Sequence, residues 1–407
     1  MRYRTVTVKS KALGQVLTPR ALADRLAKSL SGKGQTWLEL GVGTGRIAQA
    51  CVEHRQPERY TGLELDPNML NNCIRHPSIH LIQSNVLHAP DLQQTLANQK
   101  FDCVVGNPPY GSTKISSHGI DRLNDLCPGI NQTTDWGQLD LYFVLESLSR
   151  LKRPGQAAFI VSAAMIEDPK LQVFRQHLLS QANEVQCYEL PLDSFDHKAE
   201  VRSFLLIARY AATKKRKCKV IAGRIGDDGF DIIEKQPISL EQAILCLSLS
   251  HHEFLDFDAS LRRKRGCVSL KDLKVEITRG SKSKSEFINL GITHFHLSDF
   301  PTNATEIHLP HHCDERFKLA QAGDILIPRV GSRCLTKQAL VTDGSLPFTD
   351  SIYRLQLPKK NRNRVIDWMS SAEGAFWRRS AAKGSCAKHL TIQSLLNMPV
   401  PLQSTHT

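Results

Sequence analysis

An α/β chain, built as a Rossmann-like doubly wound sheet followed by a C-terminal mixed α+β domain, is what three features of the sequence predict. Short apolar runs alternate with amphipathic stretches from residue 37 to about residue 210; the first of these runs passes straight into a glycine-rich turn; and beyond 210 the rhythm gives way to basic, loop-rich sequence.

The apolar runs at 37–40, 60–65, 79–83, 101–105, 157–162 and 203–208 read as strands, and their alternation with helical patterns reads as βαβ units in a mostly parallel sheet. Apolar spacings of three and four predict helices over 21–30 and 139–151, the second stopped by Arg153-Pro154-Gly155. In the second half, turn signals recur at 226–229, Arg279-Gly280, Gly323-Asp324, Gly331-Ser332 and Asp343-Gly344, and helices are expected at 241–249 and 363–371. The domain boundary is expected near 235, give or take fifteen residues, so that 1–235 and 236–407 form the two domains.

Composition narrows the function classes. The chain has 407 residues, 41% hydrophobic and 23% charged, which excludes a disordered chain. No run of about 18 apolar residues predicts a membrane span, and the N-terminus lacks the apolar core of a signal peptide, so a cytoplasmic location without a membrane partner is expected. The eleven cysteines are scattered with no C-x-x-C pair, which fits reduced thiols rather than a zinc or disulfide framework. His308, His311, His312 and Cys313 match no standard zinc spacing, so no metal is expected there. The net charge of +13, with clusters at Lys214, Lys215, Arg216, Lys217 and at Arg262, Arg263, Lys264, Arg265, points to a polyanionic partner.

The chemistry-bearing residues sit at expected strand ends. Gly41-Val42-Gly43-Thr44-Gly45 follows the first run, where glycines permit a tight turn and close approach by a ligand. Glu64 ends the second strand, where a carboxylate accepts the hydroxyls of an adenosine ribose. Asn85 ends the third with an amide suited to an adenine edge, and Thr18 precedes the first helix as a cap and a contact for the cofactor's amino-acid end. The fourth strand delivers Asn107-Pro108-Pro109-Tyr110. An aromatic amine is a poor nucleophile because its lone pair is delocalised, and the Asn107 side-chain oxygen and the Pro108 carbonyl supply two acceptors that favour a localised nitrogen. The prolines fix that geometry, and Tyr110 offers a flat face to an extruded base.

At these residues the chain resembles the gamma class of N6-adenine DNA methyltransferases, including those of restriction-modification systems. Gly14 to Pro19 is similar to the family's N-terminal motif, Glu39 to Gly45 to its methionine-binding loop, Glu64 to its ribose acid and Asn107 to Tyr110 to its catalytic motif, in the order that class uses. Leu141, Tyr142 and Leu145, followed by Leu151 to Gly155, are similar to the helix and turn before the family's fifth strand. Phe195-Asp196-His197-Lys198 resembles the segment whose aromatic residue packs on the flipped adenine. Asn85 stands where the family usually has an aspartate, which removes charge assistance from a contact to the cofactor's adenine.

The resemblance implies S-adenosyl-L-methionine as cofactor, held by Thr18, Glu39, Gly41, Gly43, Gly45, Glu64, Asn85 and Asn107, with Asn107, Pro108, Tyr110 and Phe195 catalytic and no metal. It implies a monomer acting on double-stranded DNA, with a cognate restriction endonuclease as partner. The second half resembles target-recognition domains, through Ala322 to Ile327 and through Gly384-Ser385 to Met398-Pro399-Val400-Pro401. That makes Arg279, Lys282, Lys284, Arg329, Arg333, Arg378, Arg379 and Lys383 candidate DNA contacts. Protein glutamine and RNA methyltransferases fit the N-P-P-Y tetrapeptide as well, and Asn85 fits a catalytically silent DNA-binding protein.

Overall fold

The computed structural model describes residues 17–32, 35–114, 116–130, 136–195, 202–213, 217–264, 266–302, 305–312, 314, 316–331, 334–384 and 388–402. It divides into two compact units, 1–249 and 250–407.

The first unit alternates strand and helix. Helix α1 (Arg20–Ser29) turns Leu22, Ala23, Leu26 and Ala27 to the core, the one-sided apolar stripe of a surface helix. Then follow β1 (Thr36–Leu40), α2 (Arg46–Arg55), β2 (Arg59–Glu64), α3 (Pro67–Asn71), β3 (Ile79–Gln83), α4 (Ala89–Leu96) and β4 (Phe101–Gly106). Beyond them lie β5 (Ser112–Lys114), α5 (Ser117–Leu126), β6 (Trp136–Gln138), α6 (Leu139–Ser149), β7 (Leu151–Ser162), α7 (Ala163–Glu167) and α8 (Gln172–Gln181). The unit closes with β8 (Glu184–Glu189), β9 (Ser203–Tyr210), β10 (Lys219–Ile225), β11 (Ile232–Pro237) and α9 (Leu240–Leu245).

Nine of these strands form one sheet in the order β11-β10-β8-β9-β7-β4-β1-β2-β3. The pairings from β3 through β2, β1 and β4 to β7 are parallel, and β9 runs antiparallel between β7 and β8. Helices cover both faces. One core packs α4, α5, α6 and α8 against the sheet through Leu92, Leu123, Val144 and Phe174; the other packs α1 and α2 through Leu26 and Ile47. The sheet is therefore doubly wound as expected but more mixed, because β9 is antiparallel to both its neighbours and β11 to β10; β8, β10 and β11 carry polar residues that hide them from an apolar-run reading.

Two further features have local causes. The Arg153-Pro154-Gly155 stop lies inside β7: Phe101 faces Leu151 and Cys103 faces Gln156, so the intervening residues bulge, and Lys152 reaches Asp102 at 3.1 Å. The first unit runs on to 249, within the fifteen residues allowed around 235, because β11 pairs with β10 and the fully buried Arg175 donates to the carbonyls of Ile244 and Leu245 as well as Met165 and Asp168.

The second unit opens with α10 (Leu249–Lys264), a helix lying where basic loop was expected; its Arg262 is held by Asp258 and by the Asn397 carbonyl. Next come β12 (Cys267–Ser269), β13 (Glu276–Arg279), α11 (Lys284–Asn289), β14 (Glu306–His311), β15 (Leu319–Gln321), β16 (Ile325–Pro328), β17 (Ala339–Pro347) and β18 (Ile352–Gln356). Helices α12 (Lys359–Ser370), α13 (Ala372–Ala381) and α14 (Ile392–Leu396) and strand β19 (Pro399–Pro401) complete it. The strands form a six-stranded sheet containing β13-β18-β16-β17-β14, with β15 on β17, and a separate β12-β19 ladder. The unit is thus mixed α+β, with α12 standing at the expected 363–371 but starting four residues earlier.

Arg378 does not present itself to a nucleic acid. It is 0% exposed and donates to the carbonyls of Leu335, Thr336, Lys337 and Met369 and to the side-chain oxygen of Gln338. A guanidinium has five donors in a fixed fork, which suits it to gather several carbonyls at once. Arg378→Met should cost the protein about 3 kcal/mol by stranding those carbonyls. Urea unfolding checks this against Arg379→Ala at the exposed neighbour, which should change stability by less than about 0.5 kcal/mol.

Candidate cofactor and target site

The glycine loop leaves the carboxyl end of β1 with Gly41, Gly43 and Gly45 at φ of +81°, +55° and +78°, a region that side chains rarely adopt. The three differ in what surrounds them. A Cβ on Gly45 would lie 2.3 Å from Cys73 Sγ, whereas one on Gly43 would meet nothing within 4 Å, so the loop turns its open side outward at Gly43. The loop is pinned from the neighbouring strand: the Gly41 and Val42 amides donate to the Leu63 carbonyl, each at 2.8 Å.

Glu64 is buried, and its carboxylate accepts from the Gly43 amide at 2.9 Å and from the Leu65 and Asp66 amides at 2.9 and 3.0 Å. A carboxylate has about four acceptor sites, so three amides leave it one for a ribose hydroxyl. Glu39 is buried behind the loop and accepts a hydrogen bond from the Tyr60 hydroxyl. Burial, reinforced by the Glu64 charge, pushes its carboxyl up to about 8 against the opposing Tyr60 bond.

Thr18 does not cap α1, whose N-cap is Pro19 without a side-chain bond. Its hydroxyl instead accepts from Asn107 Nδ2 at 3.0 Å, across 89 residues of chain, while its carbonyl accepts from Arg46 at 2.9 Å. Leu17, Thr18, Glu39, Gly41, Val42, Gly43, Thr44, Arg46, Ile47 and Asn107 line a single hollow, so Thr18, Glu39, Gly41 and Gly43 share one space with the first residue of the tetrapeptide, whereas Gly45 and Glu64 do not line it. Asn85 is not among its lining residues. It lies two residues past β3, and its side-chain oxygen accepts from the Leu87 amide at 3.1 Å, an Asx turn that leaves the amide NH2 for other contacts.

Pro108 is buried, and Tyr110 and Phe195 meet with ring centroids 6.5 Å apart at 86°. The two rings proposed to pack on a base thus meet each other edge to face. The Tyr110 hydroxyl is buried and has no hydrogen-bond partner among the described residues; burial and the Asp140 charge hold its pKa well above the usual tyrosine value. Asp140 itself was missed. Fully buried at the start of α6, it accepts from the Leu141 and Ser162 amides at 3.0 and 3.2 Å, and Gln138 reaches Ser162 Oγ at 3.2 Å. Its signal was an acid in an otherwise apolar helix start, next to Leu141 and Tyr142.

Several expected residues fall outside the described ones: Gly14 to Val16, Asp196 to Lys198, Lys214 to Arg216, Arg265, Cys313, Arg333 and Ser385. His308 and His311 lie on β14, where His308 meets Thr342 at 2.9 Å and His311 lies 3.9 Å from Asp343. Among the described residues Asp24, Glu53 and His54 also cluster, but Arg20 already bridges both carboxylates.

A doubly wound sheet with a left-handed glycine loop, an adjacent strand-end acid and an N-P-P-Y edge defines the class of S-adenosylmethionine-dependent methyltransferase domains. Residues 43–195 match the Eco57I restriction-modification methylase family. The chain is 28% identical over 127 residues to a tRNA1(Val) (adenine(37)-N6)-methyltransferase of Actinobacillus pleuropneumoniae, covering 30% of this chain and 50% of that protein. It is 27% identical over 180 residues to the Type II methyltransferase M.TthHB8I of Thermus thermophilus, covering 42% and 40%. Among solved structures it is similar to the type IIG restriction endonuclease BpuSI at a TM-score of 0.48 and 10% identity, covering 96% of this chain and 60% of that one. The chain thus spans about half the length of the relatives it matches. The cofactor of this class, S-adenosyl-L-methionine, fits the loop: Gly43 is open where a ligand would approach, and Glu64 lies directly behind it.

Glu39 gives the domain a pH signature. Its folded pKa of about 8 stands above an unfolded value near 4.5, so the folded state binds the extra proton between them. Stability from this group is complete below about pH 4.5 and declines until about pH 8. Glu39→Gln, which resembles the protonated form, should flatten that decline in urea titrations run across the window.

Proposed function

We propose that the chain is a site-specific DNA-methyltransferase (adenine-specific), transferring a methyl group from S-adenosyl-L-methionine to N6 of an adenine taken out of the duplex. The observation that carries this reading is that Asn107, leading the N-P-P-Y tetrapeptide at the end of β4, lines the same hollow as the Gly41-to-Gly45 loop. The match of 43–195 to a restriction-modification methylase family, and a Type II methyltransferase among the relatives, support the DNA substrate. They equally favour a restriction-modification setting with a cognate endonuclease.

The cofactor supplies an electrophilic methyl group. Glu64 would hold its ribose hydroxyls, and the Glu39-to-Gly45 loop and Thr18 would lie toward its amino-acid end. The Thr18 hydroxyl engages Asn107 Nδ2, which turns the amide oxygen toward the target. That oxygen and the Pro108 carbonyl accept the two amine hydrogens and localise the nitrogen lone pair, stabilising the positive charge that develops during transfer. Tyr110 and Phe195 form the aromatic wall for the flipped base; their edge contact must open to admit it.

A second reading, adenine methylation in RNA, draws support from the tRNA adenine methyltransferases among the relatives. Purified protein incubated with labelled S-adenosylmethionine and either duplex DNA or tRNA, then digested to nucleosides, separates the two. Labelled N6-methyldeoxyadenosine is expected; label confined to RNA or protein would refute the DNA reading. Within that assay Asn107→Ala should abolish turnover while retaining cofactor binding. Thr18→Val should lower kcat about tenfold, roughly one orienting hydrogen bond, with Thr18→Ser restoring most of it.

A further inference from the structure

In the second unit four loops are laced together by their backbones. The Asp350 amide donates to the Lys282 carbonyl at 2.7 Å, the Arg329 amide to Ser351 at 2.8 Å, the Leu390 amide to Arg329 at 2.9 Å and the Gly331 amide to Lys388 at 2.9 Å. Gly280 tightens the bundle, since a Cβ there would lie 2.2 Å from the Thr349 carbonyl oxygen. The lacing brings Arg279, Lys282, Lys318, Arg329 and Lys388 to one end of the unit, with Lys318 donating to the Arg279 carbonyl.

At its centre two guanidiniums share one acceptor. Arg279 Nε and Arg329 Nε donate to the Asp350 carbonyl at 3.1 and 2.9 Å, and Arg279 also holds the Asp350 carboxylate at 2.8 Å. Asp350 therefore neutralises Arg279, while the terminal nitrogens of Arg329 have no acceptor among the described residues. Arg329 is half-buried, tethered at Nε and presents a planar two-donor edge. That edge matches the O6/N7 pair of guanine, whereas a phosphate contact needs no such fixing and is served by flexible lysines.

We infer that Arg329, oriented by the Asp350 carbonyl, reads a guanine in the recognition sequence through its two terminal nitrogens, while Lys282, Lys318 and Lys388 contact the flanking phosphates. This rests on the proposed DNA substrate and assigns a specificity residue within it.

The test selects binding sites for the full-length protein from random duplexes, a readout independent of methyl transfer. Arg329→Lys should lose discrimination at one G·C pair by about ten- to a hundredfold and keep the rest of the motif. Lys318→Ala should weaken all sequences alike and lower the salt slope by about one. Replacing the selected guanine by 7-deazaguanine should weaken the unmodified protein, which covers the case of a variant that fails to fold. A motif without guanine, or an Arg329→Lys variant that weakens every sequence evenly, overturns the inference. A protein that selects no duplex overturns both this inference and the DNA reading. One that selects a guanine-containing motif lost in Arg329→Lys, yet methylates only RNA, overturns the DNA reading and leaves Arg329 as a base reader.

Discussion

Glu64 accepts hydrogen bonds from three backbone amides, one of them donated by Gly43 on the neighbouring strand's loop. Around this buried carboxylate the carboxyl edge of the first unit is arranged. Parallel register sets Leu40 beside Leu63, so the loop after β1 and the turn after β2 emerge together, and the Leu63 carbonyl takes two loop amides. The glycines then adopt left-handed backbone where a side chain would collide or close off the hollow. On the other flank β4 pairs with β1 and delivers Asn107 to the same hollow. The strand order β2-β1-β4 thus places an acid, an open backbone loop and an amide in a row, and backbone hydrogen bonds hold all three rather than flexible side chains.

Buried charge plays two different parts in the molecule. Arg175 and Arg378 each collect main-chain carbonyls at helix ends and irregular segments, which would otherwise strand unpaired acceptors in the interior. Arg175 is also why α9 belongs with the first unit. Glu39 and Asp140 are buried carboxyls, the first lining the hollow beside the glycine loop and the second beside Tyr110, both with pKa values raised by desolvation. Keeping such groups in the interior is unfavourable for folding, and their position at the carboxyl edge, away from the centre of either core, ties that disadvantage to the site.

Much of the fold was legible. The strands at 37–40, 79–83 and 101–106 and the helix at 20–29 are apolar runs or stripes whose burial follows from local periodicity. Strands β8, β10 and β11 were not legible as apolar runs, because exposed or polar residues interrupt the buried ones along β8 and β10 and β11 is mostly exposed. Helix α10 was hidden by its basic C-terminal run, whose Arg262 is satisfied within the unit. At the candidate site, Gly41, Gly43, Gly45, Glu64 and Asn107 stood out by motif spacing, whereas Asp140 offered only an acid in an otherwise apolar helix start.

The sequence by itself determined the order of strands and motifs, and with it the meeting of loop, acid and tetrapeptide at one sheet edge, because alternation and turn chemistry act over a few residues. Only the tertiary structure decided which side chains engage one another. Thr18 holds Asn107 rather than capping its helix, Arg378 is buried rather than offered to a partner, and Arg279 and Arg329 converge on the Asp350 carbonyl. These contacts bridge long stretches of chain, 89 residues for the first and 71 between Arg279 and Asp350. A hydrogen bond forms only within about 3 Å, and at such separations strand register and loop packing set the distance, which residue type alone does not specify.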